Sequence, residues 1–118
     1  MPDVHEECVF CQIARGDFET EFLAEDEGVV AFRDLHPQAP THVLVVPRKH
    51  FDNVDQLVET DPELATSLIS MAVQAARADG IVKSGFRILT NTGPDAGQSV
   101  HHVHFHVLGG KQLSEGLA

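Results

Sequence analysis

The chain has 118 residues, enough for one domain with a modest core, and its 18 Asp+Glu against 8 Lys+Arg give a net charge of -10. That balance repels polyanions and excludes binding along a nucleic-acid backbone, while leaving open a single nucleotide whose phosphate is held by backbone N–H groups. No apolar run approaches the roughly 20 residues that span a bilayer. The opening Met1-Pro2-Asp3-Val4-His5-Glu6-Glu7 is acidic and polar rather than a secretory signal. A cytoplasmic, soluble protein without a membrane partner is therefore expected. Residues 1–118 read as a single domain, with 1–7 expected to be flexible and 111–118 to form a C-terminal tail.

In chain order, Cys8 to Ala14 reads as a short helix stopped by Gly16, with Phe10 and Ile13 turned inward. Phe22 to Glu25 and Val29 to Arg33 form a predicted hairpin about Asp26-Glu27-Gly28. Pro37-Gln38-Ala39-Pro40 is a stiff connector into a buried strand, His42-Val43-Leu44-Val45-Val46, that Pro47 stops. Asp61 is a predicted N-cap with Pro62 at the first helical position. Leu64, Leu68, Met71, Ala72, Ala75 and Ala76 then recur at helical spacing until Gly80, the stripe of a core-facing helix. Phe86 to Asn91 is a strand, and Asn91 to Gly97 a loop leading into the last one. The order implies an α+β fold on an antiparallel sheet.

That last segment carries the chemistry. In Gln98-Ser99-Val100-His101-His102-Val103-His104-Phe105-His106-Val107-Leu108, histidines alternate with apolar residues. Alternation places His102, His104 and His106 on one face of a strand and Val103, Phe105 and Val107 on the other, the core side. By the same parity His101 falls on the core side at the strand entrance, as a packing or surface residue. Aligned imidazoles serve as nucleophile, proton carrier or metal ligand near neutral pH. Just before them, the loop Gly93 to Ser99 supplies a hydroxyl and successive N–H groups, a candidate phosphate cradle. The pair Cys8-x-x-Cys11 has three readings: redox, zinc or two reduced core thiols. A redox motif lacks its preceding strand, zinc needs two further ligands, and a disulfide does not suit the cytosol.

These residues resemble the histidine triad superfamily, named for a His-x-His-x-His-x-x pattern with apolar x, and within it the branch of histidine triad nucleotide-binding proteins. Similarity extends to Cys8-Val9-Phe10-Cys11, Ala31-Phe32-Arg33-Asp34, Pro37 to His42, Val46 to His50 and Leu108-Gly109-Gly110. The third histidine points to this branch, since the dinucleoside-polyphosphate hydrolase and nucleotidyltransferase branches carry glutamine there.

The resemblance implies a five-stranded antiparallel sheet with one long helix and a short N-terminal one, two copies joining into a ten-stranded sheet. It implies a hydrolase that cleaves the P–N bond of purine nucleoside phosphoramidates and releases nucleoside monophosphate. His104 would attack the α-phosphorus, Ser99 stand near the leaving amine, and His106 contact the phosphoryl oxygens, with His102 completing the catalytic set. Asn91, Gly97, Gln98 and the Ser99–Val100 backbone match the phosphate-binding region, and Asp34 the ribose carboxylate. Val9, Phe10, Ile13, Phe32 and Leu35 match the base pocket. Arg33 stands where the family often has a smaller or neutral residue beside the ribose aspartate. Zinc-containing members use positions matching Cys8, Cys11, His50 and His102 for a structural zinc, with no catalytic cofactor. His42 is then a spare imidazole that either orients the triad or replaces one ligand. The tail lacks the tryptophan and Pro-Pro of the familiar eukaryotic ending.

Two other classes fit part of the pattern. Histidines at i and i+2 on a strand can share a catalytic metal, giving a metal-dependent phosphohydrolase. A non-catalytic nucleotide-binding or interaction module is the other.

Overall fold

The computed structural model describes residues 8–115; the expectation of flexibility for residues 1–7 lies outside them. Five strands, β1 (Ala24–Glu25), β2 (Val29–Arg33), β3 (Thr41–Pro47), β4 (Phe86–Leu89) and β5 (Phe105–Gly109), form one antiparallel sheet in the order β1-β2-β3-β5-β4. The α+β, five-stranded architecture matches the reading of the sequence.

Strand alternation divides the hydrophobic residues between two layers. Val43 pairs Val107 and Val45 pairs Phe105 across β3 and β5. With Val29 and Ala31 they pack against Leu68, Met71, Ala72, Ala75 and Ala76 of helix α3 (Pro62–Ala78). Asp61 caps α3 by accepting from the Leu64 N–H at 3.2 Å, with Pro62 where a missing donor costs nothing. Val103 joins the same core, so the apolar half of the histidine segment packs as its alternation predicts.

The residues between face the other way. Val30, Phe32, Leu44 and Val46 bury Phe10 and Ala14 of helix α1 (Val9–Ala14). At six residues α1 is too short to persist alone, so tertiary contacts hold it. Register places His106 opposite Leu44, on this α1 face.

Five expectations need correction. A third helix, α2 (Val54–Thr60), precedes α3, with Asn53 accepting from the Gln56 N–H at 3.0 Å. Phe22 and Leu23 lie before β1, and β4 stops at Leu89 instead of Asn91. Ladder pairing of the histidine segment starts at Phe105, so His102 and His104 occupy the approach to β5. His101 is exposed, a surface residue rather than one on the core side, because residues 100–102 bend and strand parity does not reach it.

Candidate functional site

The α1 face of the sheet carries a cleft of about 390 Å³. Val9, Phe10 and Ile13 from α1 form one wall, and Phe32, Arg33, Asp34, Leu35 and Leu44 another. Ser99, Val100, His104 and His106 close its end, and Thr20 and His36 complete the lining. Phe10 is the wedge: its ring meets that of His104 edge-on at a centroid distance of 4.9 Å and that of Phe32 at 6.0 Å.

Neighbouring atoms fix the protons of the histidine rings. Nδ1 of His104 lies 2.8 Å from the carbonyl oxygen of His102, which can only accept. The proton therefore sits on Nδ1, and Nε2 keeps a lone pair. Thr90 Oγ1 donates to the His104 carbonyl at 2.7 Å, anchoring the same residue from β4's end. At His42 the logic is reversed. The Gln38 N–H can only donate, and it meets Nδ1 at 3.0 Å, so Nε2 of His42 carries the proton. That Nε2–H points at Nδ1 of His106, 2.9 Å away, with Asp34 Oδ2 at 3.4 Å. His106 is left with its own proton on Nε2.

Burial keeps both cleft rings neutral. Desolvation lowers the pKa of His104, against weaker opposite pulls from the His102 carbonyl and Asp34. His106 falls to about 4, through desolvation first and then the neighbouring rings of His104 and His42.

His102 belongs to a different cluster. Its Nε2 donates to the Pro47 carbonyl at 2.9 Å, which turns the Nδ1 lone pair toward Cys8 Sγ at 3.2 Å and Cys11 Sγ at 3.4 Å. His50 is arranged alike, Nε2 on Asp52 Oδ1 at 2.9 Å and Nδ1 facing Cys11 Sγ at 3.4 Å. The four ligand atoms lie within 4.8 Å of one another. Tetrahedral zinc would separate its sulfur and nitrogen ligands by about 3.6 Å. Two thiols and two outward imidazole lone pairs, each ring oriented by an outer acceptor, could hold a metal ion.

The profile of the HIT domain matches residues 15–113. The chain belongs to the HIT family. It is 36% identical over 113 residues to the purine nucleoside phosphoramidase of Escherichia coli K12, covering 96% of this chain and 95% of that protein. A HIT family hydrolase from Clostridium thermocellum superposes with a TM-score of 0.92 at 36% identity, over 98% of this chain and 100% of the other. A histidine triad protein from Clostridium difficile gives 0.90 at 38%, over 95% and 97%. With these relatives, this HIT protein is a hydrolase. None of its described helices is long and apolar enough to cross a membrane.

Most residues singled out in the sequence of this HIT protein converge on the cleft or the metal-ligating cluster, and His102 alone of the triad goes to the latter. Asn91, Gly97 and Gln98 are outside the cleft lining; Asn91 Nδ2 donates to the Ala96 carbonyl at 2.9 Å. Arg33 borders the cleft, but its guanidinium makes a two-pronged contact with Asp79 at 2.8 and 2.9 Å. His42 sits with the triad, not with the cysteines. Thr20, His36, Leu44, Gln38 and Thr90 were not singled out. Leu44 could have been, since it shares strand parity with His42; Gln38 acts through its main-chain N–H and leaves no mark in residue type, and the Thr90 hydroxyl reaches a main-chain carbonyl that the sequence does not identify.

Proposed function

We propose that this HIT protein hydrolyses the P–N bond of purine nucleoside phosphoramidates through a nucleotidyl intermediate on His104. One observation carries the reading: the His102 carbonyl holds the His104 proton on Nδ1, so an unprotonated Nε2 belongs to the ring that closes the cleft. In the first step Nε2 bonds to the α-phosphorus, the P–N bond breaks, and the departing amine takes a proton from solvent. Water then adds to phosphorus and returns a proton to solvent, the bond to His104 breaks, and nucleoside monophosphate leaves. Splitting one displacement into two lowers each barrier.

His106 directs its Nε2–H to a phosphoryl oxygen, and exposed Ser99 stands at the leaving amine. Asn91, Gly97 and the Ser99–Val100 backbone receive the phosphate, Asp34 the ribose hydroxyls, and Val9, Phe10, Ile13, Phe32 and Leu35 the base. The identity to a purine nucleoside phosphoramidase supports this substrate class. Cys8, Cys11, His50 and His102 would hold a zinc ion in a structural role, tying α1 to the chain before His104. Two copies pair in a cytoplasmic homodimer through α3 and the edge strand β4.

A metal-dependent phosphohydrolase fits less well. Asp34, His42 and His106 do cluster, but Gln38 holds the proton of His42 on Nε2, the atom that would have to ligate. Mass analysis after brief incubation with adenosine phosphoramidate, quenched without acid, is the test. The expected product is a nucleotidyl adduct on His104; turnover that stops on chelation, in protein still folded and without any adduct, would establish the metal-dependent route instead.

A further inference from the structure

Gln98 faces away from the role its position suggests. Its Oε1 accepts from the Gly93 N–H at 2.9 Å, and its own N–H donates to the Gly93 carbonyl at 3.1 Å. These two bonds close the loop 93–98 into a ring. Its Nε2 donates to the Val100 carbonyl at 3.0 Å and to the Asp52 carbonyl at 2.6 Å. Oε1 is engaged by Gly93 and both amide hydrogens are donated within the protein, which leaves no donor for a nucleotide phosphate.

Asp52 is the other end of the connection. Its carboxylate accepts from His50 Nε2, and His50 Nδ1 faces Cys11. A continuous series of contacts therefore runs from the cysteines through His50, Asp52 and Gln98 to Gly93. One residue earlier, the Phe51 carbonyl accepts from the Val103 N–H at 2.7 Å, tying the same segment to the chain between His102 and His104. Segment 50–52 thus braces the cleft from behind at two points.

We infer that Gln98 is a positioning residue that couples the Cys8/Cys11/His50/His102 site to the loop before Ser99, rather than a ligand of the nucleotide. The inference rests on the proposed reaction only for its catalytic readout. A ring closed on Gly93 and fixed to Asp52 sets the height of the Ser99–Val100 turn. When the metal-ligating segment relaxes, that turn loses its fixed support and the substrate phosphate is misplaced.

Two substitutions separate the halves of the contact. Gln98→Glu keeps the acceptor for Gly93 and loses the donors to Asp52 and Val100; Gln98→Ala loses all three contacts. In zinc-loaded protein both variants should lower kcat about tenfold or more, while adenosine monophosphate Kd stays within about twofold of wild type. Both should also speed zinc loss to a coloured chelator by about threefold or more. Amide exchange of wild-type protein gives an arm that needs no variant: removing zinc should raise exchange across residues 93–103 and leave residues 62–78 protected. Loss of nucleotide affinity that matches the loss of kcat would make Gln98 a ligand and overturn the inference. So would unchanged zinc release in both variants, exchange at 93–103 indifferent to zinc, or failure of the protein to take up zinc. Should wild type show no phosphoramidase activity, the proposed reaction fails by itself, and zinc release and exchange still decide the role of Gln98.

Discussion

The backbone N–H of Gln38 meets Nδ1 of His42 at 3.0 Å and thereby sets the proton of a ring on which His106 depends. Replacing His42 with Ala removes the only donor to Nδ1 of His106 among the described residues. His106 can then move its proton to Nδ1, leaving no Nε2–H for the phosphoryl oxygen. A loss in kcat of about 10²-fold is expected, with nucleotide binding little changed. Since the His42 ring also depresses the pKa of His106, the acid limb of the rate profile should move to higher pH. Steady-state kinetics across pH measures both effects.

His104→Ala should abolish turnover while leaving the fold and nucleotide affinity largely intact. A loss of about 10³-fold or more corresponds to roughly 4 kcal/mol in the barrier. Circular dichroism and adenosine monophosphate titration check fold and affinity. A variant that hydrolyses at the wild-type rate would remove His104 from the mechanism.

The wild-type pH response follows from the two lowered pKa values. Above about 6.5, the ordinary histidine value, both states are neutral at these rings and stability is insensitive to them. Between there and about 4, where His106 titrates in the folded chain, the unfolded chain takes up protons that the buried rings refuse. Stability contributed by these rings is thus constant at neutral pH and declines as pH falls through this window. Activity should accordingly persist below the ordinary histidine value and be lost as pH falls toward about 4, where the His106 ring takes up a proton. Urea midpoints and single-turnover rates at matched pH test the two halves; a rate already halved at pH 6.5 would contradict the burial argument.

One zinc per chain is expected in protein purified without chelators, by elemental analysis. Cys11→Ser should release it and lower the melting temperature by several degrees, because a buried ligand set is left unpaired. Specific activity of the folded fraction should fall less than stability does. Asp52→Asn, which weakens the acceptor behind His50, should reduce zinc affinity by about tenfold or more. Metal-free protein of unchanged melting temperature would refute a structural zinc.

Sedimentation at micromolar concentration should give the mass of two chains. The edge strand β4 has no strand partner on its outer side among the described residues, and its residues are of only intermediate burial. A two-fold contact through β4 and α3 would cover both. A fully active species of monomer mass would count against the homodimer.

Alternation made His106 and the valine and phenylalanine back legible, because period two is imposed by strand geometry over Phe105–Gly109; His102 and His104 precede that strand, and His102 turns to the cysteines. The capped α3 was equally plain, since Asp61-Pro62 and the small-residue stripe agree. Asn53 and Gln56 mark the start of α2, but its seven residues bury only Leu57 and so carry little periodic pattern. His101 misled for the converse reason: parity was extended into a bend. For the site, residue types were readable and partners were not. Arg33 was expected beside the ribose aspartate and does border the cleft, while its guanidinium pairs with Asp79. Gln98, expected at the nucleotide, is consumed by Gly93, Val100 and Asp52. Hydrogen bonds to main-chain atoms depend on where loops come to rest, which composition does not encode.

The shortness of α1 has a dynamic consequence. One cleft wall is a six-residue helix tied down at Cys8 and Cys11 and, at its far end, by Arg48 donating to the Ala14 carbonyl at 2.8 Å. The opposite wall is the sheet itself, locked by ladder bonds on both sides of β3. Local opening will therefore be one-sided: α1 detaches at a cost set by a few tethers, far below that of unravelling the sheet. A nucleotide wedged between the walls adds to those tethers, so its arrival should be felt first as slowed amide exchange in residues 9–14, before any change reaches the strands.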